Sequence, residues 1–290
     1  MKRFYAGLFT LLMLLLAPGT WAQQSVWEGS KEQLLKVEDK GKKQVNKVRQ
    51  WKKHIEEWGL DSNYNHALSL SGRLNTNGWS GGIYYLRQTG AGKKALWQLH
   101  FSEIKHEKEI RQERTNNLFS DLGKTTAYTF GKINNAYTLQ LGYGKEQTLF
   151  PALLDGNMSV SLRYSGGLAL AMLKPYYLRL IYVEYLPEQV AHIQTEKYSA
   201  VNADHFLDAS NIQGGTSWSK GLGEIRYIPG LFGELAFAIE PDKPQSFVKT
   251  ITIGGNIAFY SSKIEIMADR KAYPYQASFF VGLALGKRWQ

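Results

Sequence analysis

Ser278-Phe279-Phe280-Val281-Gly282-Leu283-Ala284-Leu285-Gly286-Lys287-Arg288-Trp289 is the stretch from which the fold is read. Phe279, Val281, Leu283, Leu285 and Trp289 fall on one face. Ser278, Phe280, Gly282, Ala284, Gly286 and Arg288 fall on the other. Apolar residues at every second position mark a strand. A mainly apolar face backed by small or polar residues and finished by an aromatic is what a lipid-facing barrel strand requires.

The same two-residue rhythm recurs through the chain. Leu68, Leu70 and Leu74 oppose Ser69, Ser71 and Arg73. Trp97, Leu99 and Phe101 oppose Gln98, His100 and Ser102. Tyr137, Leu139, Leu141 and Tyr143 oppose Thr138, Gln140, Gly142 and Gly144. Laid end to end, the pattern predicts strands at about 66–75, 81–88, 95–104, 125–133, 136–145, 157–173, 176–186, 223–240, 248–261 and 276–289. Asn134-Asn135 and Lys174-Pro175 read as tight turns, Asn because it tolerates positive φ. Pro229-Gly230 interrupts one strand, which leaves eight to twelve strands open around the expected ten. The connections alternate in length, with the long ones at 105–124, 187–222 and 262–275. Short turns on one side and long loops on the other, with an even strand count, are the outer-membrane pattern. The expectation is all-β: a transmembrane antiparallel up-and-down β-barrel over residues 63–290.

Composition agrees. The mean hydropathy is −0.33, and beyond residue 22 no stretch approaches the roughly 20 apolar residues a spanning helix needs. Gly 28, Tyr 17 and Trp 8 in 290 residues suit barrel walls and interfacial aromatic girdles. Lys2 and Arg3, an apolar run from Leu8 to Ala17 and the Thr20-Trp21-Ala22 ending read as a secretory signal peptide, residues 1–22. There are no cysteines, hence no disulfide and no lipidated cysteine.

Residues 23–62 read as a periplasmic arm. From Lys40 to Lys53 there are seven basic residues and no acidic one, interleaved with Val45, Val48, Trp51, Ile55 and Trp58 at helical spacing. Its basic and aromatic side chains, Lys42, Lys43, Lys47, Arg49, Trp51, Lys52, Lys53 and Trp58, are candidates for touching an anionic membrane surface or a partner. The alternative is a solvated face whose apolar stripe packs at the barrel mouth. The secreted address disfavours nucleic acid despite a net charge of +10.

Candidate lumen residues are Arg73, Arg163 and Arg179, expected to pair internally with Glu103, Glu224 or Glu234, because buried charges must be paired. A narrow, largely plugged lumen follows. Catalytic candidates are His100, Ser102, Glu103 and His106 on or after one strand, and Asp204, His205 and Asp208 in a long loop. Two residues on one strand face are roughly 7 Å apart, beyond hydrogen-bond reach of nucleophile and base. No zinc-type spacing is present, and neither cofactor nor metal is expected. Residues 188–220 read as a polar, mobile outward loop.

Around the first hairpin the chain reads Arg73-Leu74-Asn75-Thr76-Asn77-Gly78-Trp79, and the third strand exits through Glu103-Ile104-Lys105-His106-Glu107-Lys108-Glu109. Over residues 68–113 this resembles a group of Gram-negative outer-membrane barrel proteins with a similar Thr-Asn-Gly-Trp turn and charged Lys-His loop start. The resemblance implies fold and membership and carries no activity. The function expected from the sequence is a noncatalytic scaffold or accessory subunit of an envelope assembly for secretion, barrel insertion or surface transport. Its partners would be outer-membrane lipids and envelope proteins touching residues 31–58 or loops 105–124 and 187–222. The alternatives are a barrel enzyme, either lipid-modifying in the manner of a lipid A deacylase or phospholipase or an omptin-like protease, and a narrow channel.

Overall fold

The structure, a computed structural model, describes residues 64–113, 125–151, 158–186, 188–240 and 247–290. The signal peptide and the basic arm lie outside the described residues. In chain order the strands are β1 (His66–Asn75), β2 (Gly78–Gly90), β3 (Lys93–Ile104), β4 (Arg111–Gln112), β5 (Tyr128–Thr129), β6 (Asn134–Phe150), β7 (Ser159–Pro175), β8 (Tyr177–Leu186), β9 (Glu188–Lys197), β10 (Ile212–Gly215), β11 (Arg226–Glu240), β12 (Phe247–Ile264) and β13 (Tyr273–Trp289). One short helix, α1 (Ala203–Phe206), lies between β9 and β10.

Eight of these strands close into a ring in the order β1-β13-β12-β11-β7-β6-β3-β2. Each barrel strand pairs antiparallel with the barrel strands before and after it in the chain, and β1 closes on β13, with Leu70 opposite Leu285 and Asn75 opposite Phe280. A closed ring has no unpaired edge, which is what hydrocarbon demands of a sheet. β1 begins and β13 ends at one rim, where connections 91–92, 151–158 and 241–246 are short. The opposite rim carries the two much longer connections, 105–133 and 176–225, beside the two-residue turn at 76–77 and the eight-residue stretch 265–272. Short turns at the rim holding both ends set that rim toward the periplasm and the long connections outward.

The wall alternates as the sequence reading requires. Leu70, Leu141, Leu168, Leu231 and Leu283 point outward, each 57–66% exposed, while Ser69, Ser71, Gln98, His100, Thr138, Thr250 and Thr252 are buried inside. Such a continuous apolar exterior is a surface for lipid, not water. Two aromatic groups flank it. Trp79, Phe101 and Tyr137 sit toward the outer rim, with ring centroids 6.3 and 5.7 Å apart along the row. Tyr85, Trp97 and Tyr143 sit toward the other, at 5.4 and 5.2 Å, and Trp289 joins Tyr85 at 6.5 Å. Trp79 and Tyr85 are six residues apart on β2, roughly 20 Å along the strand, which matches an apolar band between two interfacial girdles. The Trp79 indole N–H donates to Glu103 Oε2 at 2.6 Å, the usual arrangement of an interfacial tryptophan with one wet edge.

Two of the ten expected strands are not in the ring. Of 125–133 only Tyr128–Thr129 is strand, paired with Arg111–Gln112, and Gly131 follows at φ +70. Asn134 and Asn135 are not a turn: they open β6 opposite Pro175 and Lys174. At Lys174-Pro175 the chain leaves the barrel rather than turning back into it, because both edges of β7 are already taken by β6 and β11. β8 instead pairs with β9 and β10 in a separate three-stranded sheet. Pro229-Gly230 does not divide β11, which runs unbroken from Arg226 to Glu240 in register with β7.

The span 188–220 is folded, not a mobile loop. Leu178, Leu180, Phe206 and Ile212 are fully buried and pack with Tyr128 in a core of their own. Thr126 bridges to Gly214 and its hydroxyl donates to the Gly215 carbonyl at 2.6 Å, tying this sheet to the preceding long connection. At the first hairpin, Gly78 has φ +144, and a Cβ there would lie 2.0 Å from the Glu103 carbonyl oxygen, so only glycine closes this turn.

Candidate functional site: the lumen and the outer loops

The inward positions of the barrel strands stack in layers. Toward the periplasm, Ala67, Tyr84, Leu86, Leu96, Val248 and Ala284 form an apolar cluster. Toward the outside, Ile104, Ala136, Ala171, Leu173, Ile228, Phe232 and Tyr260 form another, together with Ile264 and Ile266. Charge is held among these layers. Arg73 donates from both terminal nitrogens to the Glu234 carboxylate at 2.8 and 2.7 Å, and both side chains are only 3% exposed. The guanidinium also donates to the Tyr84 hydroxyl and lies 4.1 Å from the centroid of the Phe280 ring. Asn256 adds an N–H to Glu234 and exchanges hydrogen bonds with Gln140.

A second set centres on Glu146, which accepts from Arg163 Nε at 2.5 Å and Lys94 Nζ at 2.7 Å. At the periplasmic rim Arg288 grips both oxygens of Glu240 at 2.6 and 2.7 Å. Small inner residues make room for these groups: a Cβ on Gly142 would lie 2.6 Å from the Phe232 ring. Among the described residues, each carboxylate inside the barrel is therefore gripped by at least one cation, an arrangement that fills the lumen and fixes strand positions.

Of the residues nominated from sequence, Arg73 and Arg163 are inside, and Glu234 is a partner. Arg179 is not in the lumen. It stands on β8 in the outer sheet and donates to Thr126 Oγ1 at 3.1 Å; the strand carrying it had no ring edge to join. Glu103 faces outward beside Trp79. Glu224 sits on the outer connection, bound to Lys197 at 2.5 Å and to the Tyr177 hydroxyl at 2.6 Å. These two hydrogen bonds hold its carboxyl below the usual range. Glu146, Lys94, Tyr84 and the Arg288–Glu240 pair were not foreseen. Glu146 continues the inward series Gln140, Gly142, Gly144, and extending that strand past Lys145 would have found it.

The catalytic candidates do not assemble. His100 and Ser102 line a small polar cavity of about 30 Å³ at the outer half of the lumen, also bounded by Asn75, Gln276 and Ser278. Neither ring nitrogen of His100 bonds a described residue; the ring packs edge-on against Tyr84 at 4.9 Å. His106 lies above the rim, where its Nδ1 accepts from the Lys108 N–H at 3.2 Å. In the outer module the His205 ring stacks on Tyr182 at 4.2 Å between the Ile181 carbonyl and Asn211. Asp208 accepts from the N–H and hydroxyl of Ser210. Both are thus engaged in shaping the loop. No cluster of three metal-binding side chains occurs among the described residues.

A closed eight-stranded ring with a lipid-type exterior, two aromatic girdles and a charge-paired interior defines a small transmembrane barrel of the outer-membrane class. No protein-family model matches the chain, and no curated protein matches it by sequence. Among solved structures it is similar to Neisserial surface protein A, at 6% identity over 79% of this chain and 98% of that one, with a TM-score of 0.40. It is also similar to Ail, the attachment invasion locus protein of Yersinia pestis. In complex with the heparin analogue sucrose octasulfate, Ail aligns at 10% identity over 77% of this chain and 95% of that one, with a TM-score of 0.33. The Ail structure without that analogue aligns at 8% identity over the same shares, with a TM-score of 0.30.

Proposed function

We propose that this protein is a noncatalytic, nonconducting outer-membrane scaffold. Its barrel holds a folded outward platform on one side and a basic arm on the periplasmic side, and through these it joins other components of the envelope. The observation that carries this reading is the combination of a lumen filled by interlocked ion pairs with outer connections that have a hydrophobic core of their own. A channel needs a wet, open path. An enzyme of this type needs a nucleophile and base within hydrogen-bond reach, and here His100 engages Tyr84 instead. A contact surface needs ordered loops displayed on a rigid wall, which β8, β9, β10 and α1 supply. The candidate arm, residues 31–58 with Lys42, Lys43, Lys47, Arg49, Trp51, Lys52, Lys53 and Trp58, adds a second contact on this reading.

Affinity copurification from mild detergent, with native mass measurement, tests it. The full chain is expected to travel in an assembly larger than itself. Deleting Lys31–Trp58, or replacing residues 176–222 with a short turn, should release the barrel alone. In planar bilayers the full chain should show no steady conductance. A lone barrel from the unaltered protein, or a persistent open channel, would contradict the proposal.

A further inference from the structure

The outer rim carries a cleft of about 590 Å³ that the lumen network does not use. One wall is the connection after β12, held by hydrogen bonds to the start of β6 and the residues just before it. Asn134 Nδ2 donates to the Glu265 carbonyl at 2.9 Å, Ile133 N to the Ile266 carbonyl at 2.9 Å, and Ala268 N to the Gly131 carbonyl at 2.8 Å. The facing wall is the end of β9, Lys197 and Tyr198, with Glu224 and Arg226 at the start of β11; Leu173 and Pro175 also line the cleft. Five cationic side chains line it, Lys197, Arg226, Lys263, Arg270 and Lys271, against two carboxylates, Glu224 and Glu265. Both carboxylates are engaged already, Glu224 by Lys197 at 2.5 Å and Glu265 by Arg226 at 3.4 Å. Among the described residues Lys263, Arg270 and Lys271 have no carboxylate partner, so their charge faces the cleft and the solvent beyond it.

We infer that this cleft binds a saccharide bearing several phosphate or sulfate esters. A concave site lined by one sign of charge concentrates the opposite sign. Its volume falls in the range of ordinary small-molecule sites, roughly 300–1,000 Å³, far more than a single inorganic anion fills, and three unpaired cations match a ligand with several negative groups. Its depth fits as well. Leu173 and Pro175 lie one and three residues beyond Met172, the partner of the outer-girdle residue Tyr137 on β6. That is within roughly 10 Å of the girdle, the level of lipid headgroups and of whatever touches them from outside. The inference rests on the reading that the long-loop rim faces outward.

Two sources carry this chemistry: a membrane glycolipid headgroup and a soluble glycan. The test places the full chain in phosphatidylcholine nanodiscs with two probes, a heparin-derived hexasaccharide in solution and bisphosphorylated lipid A included in the disc. Dephosphorylated lipid A serves as the comparison. At least one charged probe is expected to bind, and the triple variant Lys263→Gln, Arg270→Gln, Lys271→Gln should weaken it at least tenfold. Lys287→Gln, at the periplasmic end, should leave binding unchanged. Hexasaccharide binding alone marks a soluble ligand, and dependence on the lipid A phosphates marks a membrane one. If neither probe binds the unaltered protein, or if the triple variant and Lys287→Gln behave alike, the inference is overturned. Orientation is checked apart from this. Val201→Cys should react with an impermeant maleimide on intact cells, and failure to label would reject the outward reading while the nanodisc result stands by itself.

Discussion

Replacing Glu234 by alanine is expected to destabilise the folded barrel by about 3–5 kcal/mol, because it leaves the Arg73 charge buried and unpaired. That corresponds to a hundredfold to several-thousandfold change in the folding equilibrium. Arg73 and Glu234 are each 3% exposed, so neither can turn to water. They join strands β1 and β11, which share no backbone pairing in the ring. The double variant Arg73→Met, Glu234→Met removes both charges and should recover most of the loss, since a buried ion pair and an apolar pair of similar volume are often near equal. Urea titration of the refolded protein in lipid vesicles measures both. A Glu234→Ala variant as stable as the parent would show that the pair is solvated and the lumen wet.

The second large effect belongs to the outer wall. Leu141 is 57% exposed and lies on β6 between Tyr137 of the outer girdle and Tyr143 of the inner one. Leu141→Arg is expected to cost about 2–4 kcal/mol, the range for a charge at the bilayer midplane. Leu74 is 76% exposed but stands opposite the girdle residue Trp79, so Leu74→Arg should cost less than about 1 kcal/mol. The same titration in vesicles reads both. Equal, small costs at the two positions would mean that the wall faces water.

Barrel class was legible in the sequence because lipid imposes a strict period. Outward Leu139, Leu141 and Tyr143 with inward Thr138, Gln140 and Gly142 are the same pattern in the chain as in the wall. Strand count was not legible from that period. Leu178 and Leu180 alternate just as lipid-facing residues do, yet they are buried against Phe206 and Ile212 in the outer module. Period two reports that one face of a strand is apolar and is silent on whether lipid or protein covers it. The Asn134-Asn135 pair failed as a turn signal for a similar reason. Asn tolerates positive φ but does not require it, and hydrogen bonding opposite Lys174 and Pro175 decided the matter.

Within the lumen, Arg73 and Glu234 could be foreseen as candidate inward charges, though not as each other's partners, since β1 and β11 are not neighbours in the ring. The Glu146 centre could not, because its cations come from β3 and β7 and the ring order is needed to bring Lys94 and Arg163 together. Arg179 was misplaced along with the strand that carries it. The basic outer cleft is assembled from residues 133–134, 173–175, 197–198, 224–226 and 263–272. Its charges are too dispersed along the chain to form a motif.

The central claim is that the ring sits in a bilayer with its leucine-rich exterior against acyl chains. The chain has no cysteine, so single cysteines along β6 can be spin-labelled cleanly and their collisions with oxygen and with a water-soluble nickel chelate compared in lipid vesicles. Labels at positions 139 and 141 should meet oxygen and be shielded from nickel. Labels at 138 and 140 should meet little of either, and one at 201 should meet nickel freely. Nickel access at 139 and 141 equal to that at 201 would contradict the account.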